Sequence, residues 1–231
     1  MQLSLPLDEL PILLIVRHRL QAIMGPVPEL LFLNPMSQLV FAMLSKRTRD
    51  ETAGRVFQRL QWRYPSWQRF LNAAEDDIRK IIWPVTDWQD KLREIRRMLT
   101  LVKAQRGSFD LTFLAGWRVE QAIAWLRRFD GVGPEVAATV MNFSSIHARC
   151  LPVDRHLLRV GYRMRLTPSP KDYDRGFDCY ERLIPDSWGA HDLDALQYYL
   201  KRHSREICTR ANPACNRCVL ANLCPRVGLP S

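Results

Sequence analysis

Apolar positions recur three and four residues apart along most of this chain, the period of helices that pack by one face. Leu39, Val40, Met43 and Leu44 predict a helix from Met36 to about Lys46. Val56, Leu60 and Trp62 predict one over 50–62, and Leu92, Ile95, Leu99 and Val102 one over 88–105. An amphipathic helix over about 8–24 opens the chain, and shorter ones are expected at 66–71, 75–82 and 111–114. A pair follows at 118–128 and 134–146, then helices at 155–164, 172–183 and 192–205. No stretch of useful length alternates with the period of a strand, so the pattern predicts an all-α fold.

Composition narrows the class. With 47% hydrophobic residues in 231, the chain can bury one or two cores and is not disordered. Its formal net charge is +10, with arginines spread along many segments. That fits a surface for a polyanion, nucleic acid first, against the plainer reading of a merely basic soluble protein. The apolar run Leu10–Val16 is short, is followed by Arg17, His18 and Arg19, and has no small-residue cleavage site behind it, so neither signal peptide nor membrane span is expected. A monomer without membrane contact is expected, cytoplasmic and nucleoid-associated or otherwise intracellular.

Two stretches carry candidate chemistry. The periodic run Ala122, Trp125, Leu126, Phe129 stops at Asp130-Gly131, and a helix restarts at Pro134. Gly131 and Gly133 allow close backbone approach, and the amides around them, with the dipole of the following helix, make a seat for a phosphate. An ordinary turn is the other reading of Gly131-Val132-Gly133. Asp154, before Arg155-His156-Leu157-Leu158, reads first as a helix N-cap. A capping carboxylate stays ionised and oriented, which an acid stabilising a sugar cation also requires.

Cys208, Cys215, Cys218 and Cys224 crowd into a C-x6-C-x2-C-x5-C run near the C-terminus. Four thiolates so close point to a shared metal centre in a reducing compartment. Zinc sites more often use two C-x2-C pairs, and only one is present, so the spacing favours a 4Fe-4S cluster with zinc as the alternative. Cys150 and Cys179 read as packed thiols.

Together, in this order and spacing, these motifs resemble the endonuclease III family of helix-hairpin-helix DNA glycosylases. Gly131-Val132-Gly133 matches the family's Leu-Pro-Gly-Val-Gly hairpin, Val153-Asp154-Arg155-His156 its Val-Asp-Thr-His, and His203-Ser204-Arg205 its His-Gly-Arg ahead of the cysteines. Upstream, Asn34-Pro35 and the run from Leu44 to Asp50 look like the family's Asn-Pro and Leu-Ser-Ala-Gln-Ala-Thr-Asp. The resemblance covers about residues 34–224. It implies a six-helix barrel domain at about 35–150, with the helix-hairpin-helix at 118–146. A second domain of 1–34 and 151–231 would hold the 4Fe-4S cluster on the 208–224 loop. It also implies double-stranded DNA containing a damaged or mispaired base as partner, and base excision by flipping and N-glycosidic cleavage. Asp154 would be the essential acid, and Gly131, Val132 and Gly133 the DNA grip, with Arg155 and His156 beside the acid as further contacts.

Departures from the family pattern bear on chemistry. Where bifunctional members carry a lyase Lys, this chain has Glu135, and a carboxylate forms no imine, so a monofunctional enzyme is expected. Glu135 could pair with Lys46 or Arg47, contact the flipped base, or simply favour the helix dipole. Lys46 is the other amine that could serve a lyase. Lys46-Arg47 is similar to the Arg-Arg of archaeal thymine-mismatch glycosylases, which makes Arg47 the candidate to fill the gap left by the base. Uracil or mispaired thymine is therefore the first substrate expected. Asp87 or Trp88 stands in the wedge region, and Trp88 could stack on an orphaned base or pack at its helix start. The alternatives are a bifunctional glycosylase and AP lyase on oxidised pyrimidines, and a catalytically silent DNA-damage binder.

Overall fold

The computed structural model describes residues 11–229, which fall into two compact units: 11–31 with 149–229, and 32–148. Among the described residues all regular structure is helical, apart from an isolated bridge between Leu33 and Ser144.

The first helix, α1 (Ile12–Met24), belongs to the unit that also contains α9 (Arg155–Arg163), α10 (Tyr173–Leu183) and α11 (Ala190–Glu206). Between them the other unit is built from α2 (Pro35–Ser45), α3 (Asp50–Arg63), α4 (Trp67–Asn72), α5 (Glu75–Ile82), α6 (Trp88–Arg106), α7 (Val119–Leu126) and α8 (Pro134–Asn142). The expected helix at 111–114 is a 3-10 turn, Thr112–Gly116. Of the helix expected at 8–24, residues 8–10 lie outside the described residues.

In the unit of 32–148 the centre is α2. Asn34 caps it by accepting from the Ser37 N–H at 2.9 Å, and Pro35 takes the first position, where its missing donor costs nothing. Nearly every residue from Pro35 to Leu44 is buried, because α8, α3 and α6 pack around it. The helix α8 stops at Asn142, four residues before the expected end at 146. Its apolar period runs on through Ile146, but the Ser145 N–H donates to the Leu33 carbonyl and that of Ala148 to Met141, both at 2.8 Å, which turns the chain away.

The other unit is built on one apolar cluster. Leu13, Val16 and Leu20 of α1 meet Leu157, Leu158 and Val160 of α9 and Leu193, Leu196 and Leu200 of α11. Each such leucine contributes roughly 1.5–3 kcal/mol when fully buried. Tyr180 of α10 is wholly buried and donates to the Leu157 carbonyl at 2.8 Å. Gly176 lets α10 press onto α9, since a Cβ there would meet Leu158 Cδ2 at 2.2 Å.

Candidate functional site

The hairpin between α7 and α8 forms as its sequence demands. Gly131 holds φ +81°, and Gly133, extended, caps α8 ahead of Pro134. The turn closes through the Val132 N–H to the Phe129 carbonyl at 3.1 Å, which buries Val132. The N–H groups of Gly131 and Gly133 donate to no acceptor among the described residues, as a phosphate seat requires. The turn is braced from α6: Arg97 pairs with Asp130 at 3.1 Å, and a Cβ on Gly131 would lie 2.2 Å from Glu94 Oε2.

Lys46 is tied to the same turn. Its ammonium donates to the Gly131 carbonyl at 2.9 Å, so this amine fastens the end of α2 to the hairpin. Arg47, exposed with φ +55°, pairs with Asp87 at 2.5 Å. The two cations considered as partners for Glu135, which is half-buried on the first turn of α8, are thus engaged elsewhere. Trp88 is half-buried as the first residue of α6.

Beneath this loop lies Lys91, a residue the sequence reading passed over. It is 4% exposed and donates to the Leu44 carbonyl at 2.8 Å, to Thr48 Oγ1 at 3.0 Å and to the Lys46 carbonyl. The two carbonyls among these acceptors are loose ones at the C-terminus of α2, where a cation is favoured. Thr48 Oγ1 in turn accepts from the Thr86 N–H at 3.2 Å, which links the loop of Arg47 to that of Asp87. Burial first, then repulsion from Lys46, lowers the Lys91 pKa to about 8. The signal was present: Lys91 falls on the inward stripe with Ile95 and Met98.

Asp154 caps α9 and is 6% exposed. Oδ1 accepts both the His156 N–H at 2.7 Å and the Leu157 N–H at 2.9 Å. Oδ2 has no hydrogen-bond donor among the described residues. The carboxylate is therefore oriented through one oxygen. Arg155 is exposed beside it. His156 is placed in the interior instead: its ring Nδ1 lies 3.1 Å from Ser204 Oγ, joining α9 to α11, and burial lowers its pKa to about 4. An imidazole buried in this way is not itself a surface contact.

Cys208, Cys215, Cys218 and Cys224 are free thiols that line one small cavity, walled by Val160, Met164 and Leu220. Arg163 is buried and donates to Cys208 Sγ at 3.1 Å and to the Thr209 carbonyl at 2.7 Å. The Leu220 N–H points to Cys218 Sγ at 3.4 Å. Sulfurs that receive N–H donors from an ordered shell suit metal-bound thiolates. Four cysteine sulfurs around one cavity are a donor set that fits a metal centre. Cys150 is buried and Cys179 half-buried, in line with packed thiols.

No family model matches the chain. A protein of Arabidopsis thaliana is 30% identical over 160 residues, 69% of this chain and 54% of that protein. Endonuclease III of Thermotoga maritima is 25% identical over 194 residues, 83% of each chain. Thymine-DNA glycosylase of Aeropyrum pernix is 24% identical over 195 residues, 83% of this chain and 82% of that one. The chain spans only 54% of the plant protein and 62% of a chicken endonuclease III-like protein. Among solved structures, a non-covalent endonuclease III–DNA complex matches with TM-score 0.74 at 19% identity, covering 93% of this chain and 95% of that one. Likeness of fold across nearly the whole chain, with curated relatives named endonuclease III, endonuclease III-like protein and thymine-DNA glycosylase, leads to one comparison: the chain is similar in sequence and fold to the endonuclease III family.

Proposed function

We propose that the protein is a monofunctional DNA glycosylase of base excision repair, acting on uracil or mispaired thymine. Asp154 carries this reading: a carboxylate held by two backbone amides through Oδ1, with Oδ2 uncommitted. Cleavage of the C1′–N bond sends its electron pair to the base and leaves positive charge on the sugar. Oδ2 stabilises that charge while water adds its oxygen to C1′ and gives up a proton to solvent. Extrusion of the base from the duplex precedes this step, and the free amides of Gly131 and Gly133 hold a backbone phosphate. The four cysteines would hold a 4Fe-4S cluster, which when bound pins the 208–224 loop.

Lyase chemistry needs an uncommitted amine. Position 135 is a carboxylate, Lys46 is spent on the Gly131 carbonyl, and Lys91 is buried on three acceptors. The thymine-DNA glycosylase of Aeropyrum pernix supports the choice of substrate, as does Arg47 at the loop tip. Incubation with uracil–guanine, thymine–guanine and oxidised-pyrimidine duplexes tests the reading. Expected are strand breaks only after alkali, abolished in Asp154→Asn with duplex binding retained. Breaks before alkali together with a borohydride-trapped adduct would sink the monofunctional mechanism; no base release from any duplex would sink the glycosylase.

A further inference from the structure

A groove of about 620 Å³ runs between the outer face of α3 and Pro84, in the turn after α5. It lies outside the elements to which the catalytic reading assigns work. Arg55, Arg59 and Trp62 line it at helical spacing, and no acid is among its lining residues. Trp62 is 86% exposed, far more than a tryptophan needed for packing. Arg59 makes no ion pair or hydrogen bond among the described residues. Arg55 holds Glu51 at 2.8 Å on the surface, a contact worth less than about 1 kcal/mol that a phosphate can displace. The groove starts where two loops meet, since Thr52 follows the loop of Arg47 and Pro84 precedes Asp87.

We propose that this groove is a binding site for unpaired DNA, in which a base stacks on Trp62 while Arg55 and Arg59 hold the adjoining phosphates. The two guanidinium groups sit one helical turn apart, about 5–6 Å at their Cβ atoms, a span that neighbouring phosphates of a flexible strand can bridge. The indole follows three residues later on the same face and presents an open ring, the platform on which nucleobases stack regardless of sequence. An acidic peptide would match the arginines but leave that ring unused.

The test measures the affinity of the full chain for a short single-stranded oligothymidylate, with a 5-iodouracil version photocrosslinked and mapped by mass spectrometry. Crosslinking at Trp62 is expected. Trp62→Ala and Arg59→Glu should each weaken binding by about fivefold or more, and Trp62→Phe should restore most of it. Base release from a lesion duplex should stay unchanged in all three, so failure here is separable from failure of the catalytic reading. Affinities within about twofold of the parent, loss in Arg59→Glu alone, or binding of an oligoglutamate peptide in place of the oligonucleotide would each overturn the proposal. Arg59 and Trp62 are both exposed, so the variants are expected to fold.

Discussion

Arg47 and Asp87 hold each other at 2.5 Å although both backbones lie in the left-handed region, at φ +55° and +53°. Non-glycine residues there carry strain of order 1–3 kcal/mol, and an exposed ion pair returns less than about 1 kcal/mol. The pair therefore does not hold its loops in place; Lys91, Thr48 and Thr86 do that from beneath. Arg47→Ala should leave the melting temperature nearly unchanged while base release from a mispair falls by at least about tenfold. Parallel thermal melts and single-turnover assays check this, and a large drop in stability with normal turnover would contradict it.

Removal of Lys91 should be costly. Lys91→Met strands two carbonyls and a hydroxyl that its ammonium satisfies, and charge-assisted bonds of this kind contribute about 1.5–3 kcal/mol each. Urea melts should show a loss of several kcal/mol.

The same lysine sets a pH dependence. Its folded pKa is about 8, below the ordinary lysine value of 10.5, so between these values the unfolded chain binds a proton that the folded chain has released. The Lys91 contribution to stability therefore rises with pH across that window. Melts from pH 7 to 10.5 should show the parent gaining on Lys91→Met.

Gly131→Ala tests the hairpin. The new Cβ would meet Glu94 Oε2 at 2.2 Å and would adopt φ +81°, so a loss of about 1–3 kcal/mol is expected. Adding Glu94→Ala should recover the steric part only, because the backbone angle remains. A double-mutant cycle by chemical denaturation separates the two.

His156 predicts a dependence of the same sign at lower pH. Burial keeps its pKa at about 4, below the ordinary histidine value of 6.5, so on acidification the unfolded chain gains a proton first. Stability is present above pH 6.5 and is lost as pH falls toward 4. His156→Gln should give a shallower profile, read by thermal melts; an NMR titration with an ordinary midpoint would refute the burial argument.

Cys218→Ser should remove the visible absorbance of an iron–sulfur centre and loosen the 208–224 loop. Metal analysis that finds zinc in colourless parent protein would contradict the cluster.

Much of this protein is written in local pattern. Helix spans followed from periodicity to within a few residues, because burial of one face needs only the spacing of apolar side chains. The Asp154 cap, the Gly131–Gly133 turn and the cysteine run were legible too, since each depends on residues close in the chain. What only the tertiary structure decided are the partners brought together from afar: Lys46 on the Gly131 carbonyl, Arg47 on Asp87, Lys91 under two loops, His156 turned inward to Ser204. The same holds for the end of α8, where a carbonyl more than a hundred positions earlier, at Leu33, captures the Ser145 amide. A side chain's type states what it can donate or accept, but which group it meets depends on helix packing across long separations, and no one-dimensional period encodes that.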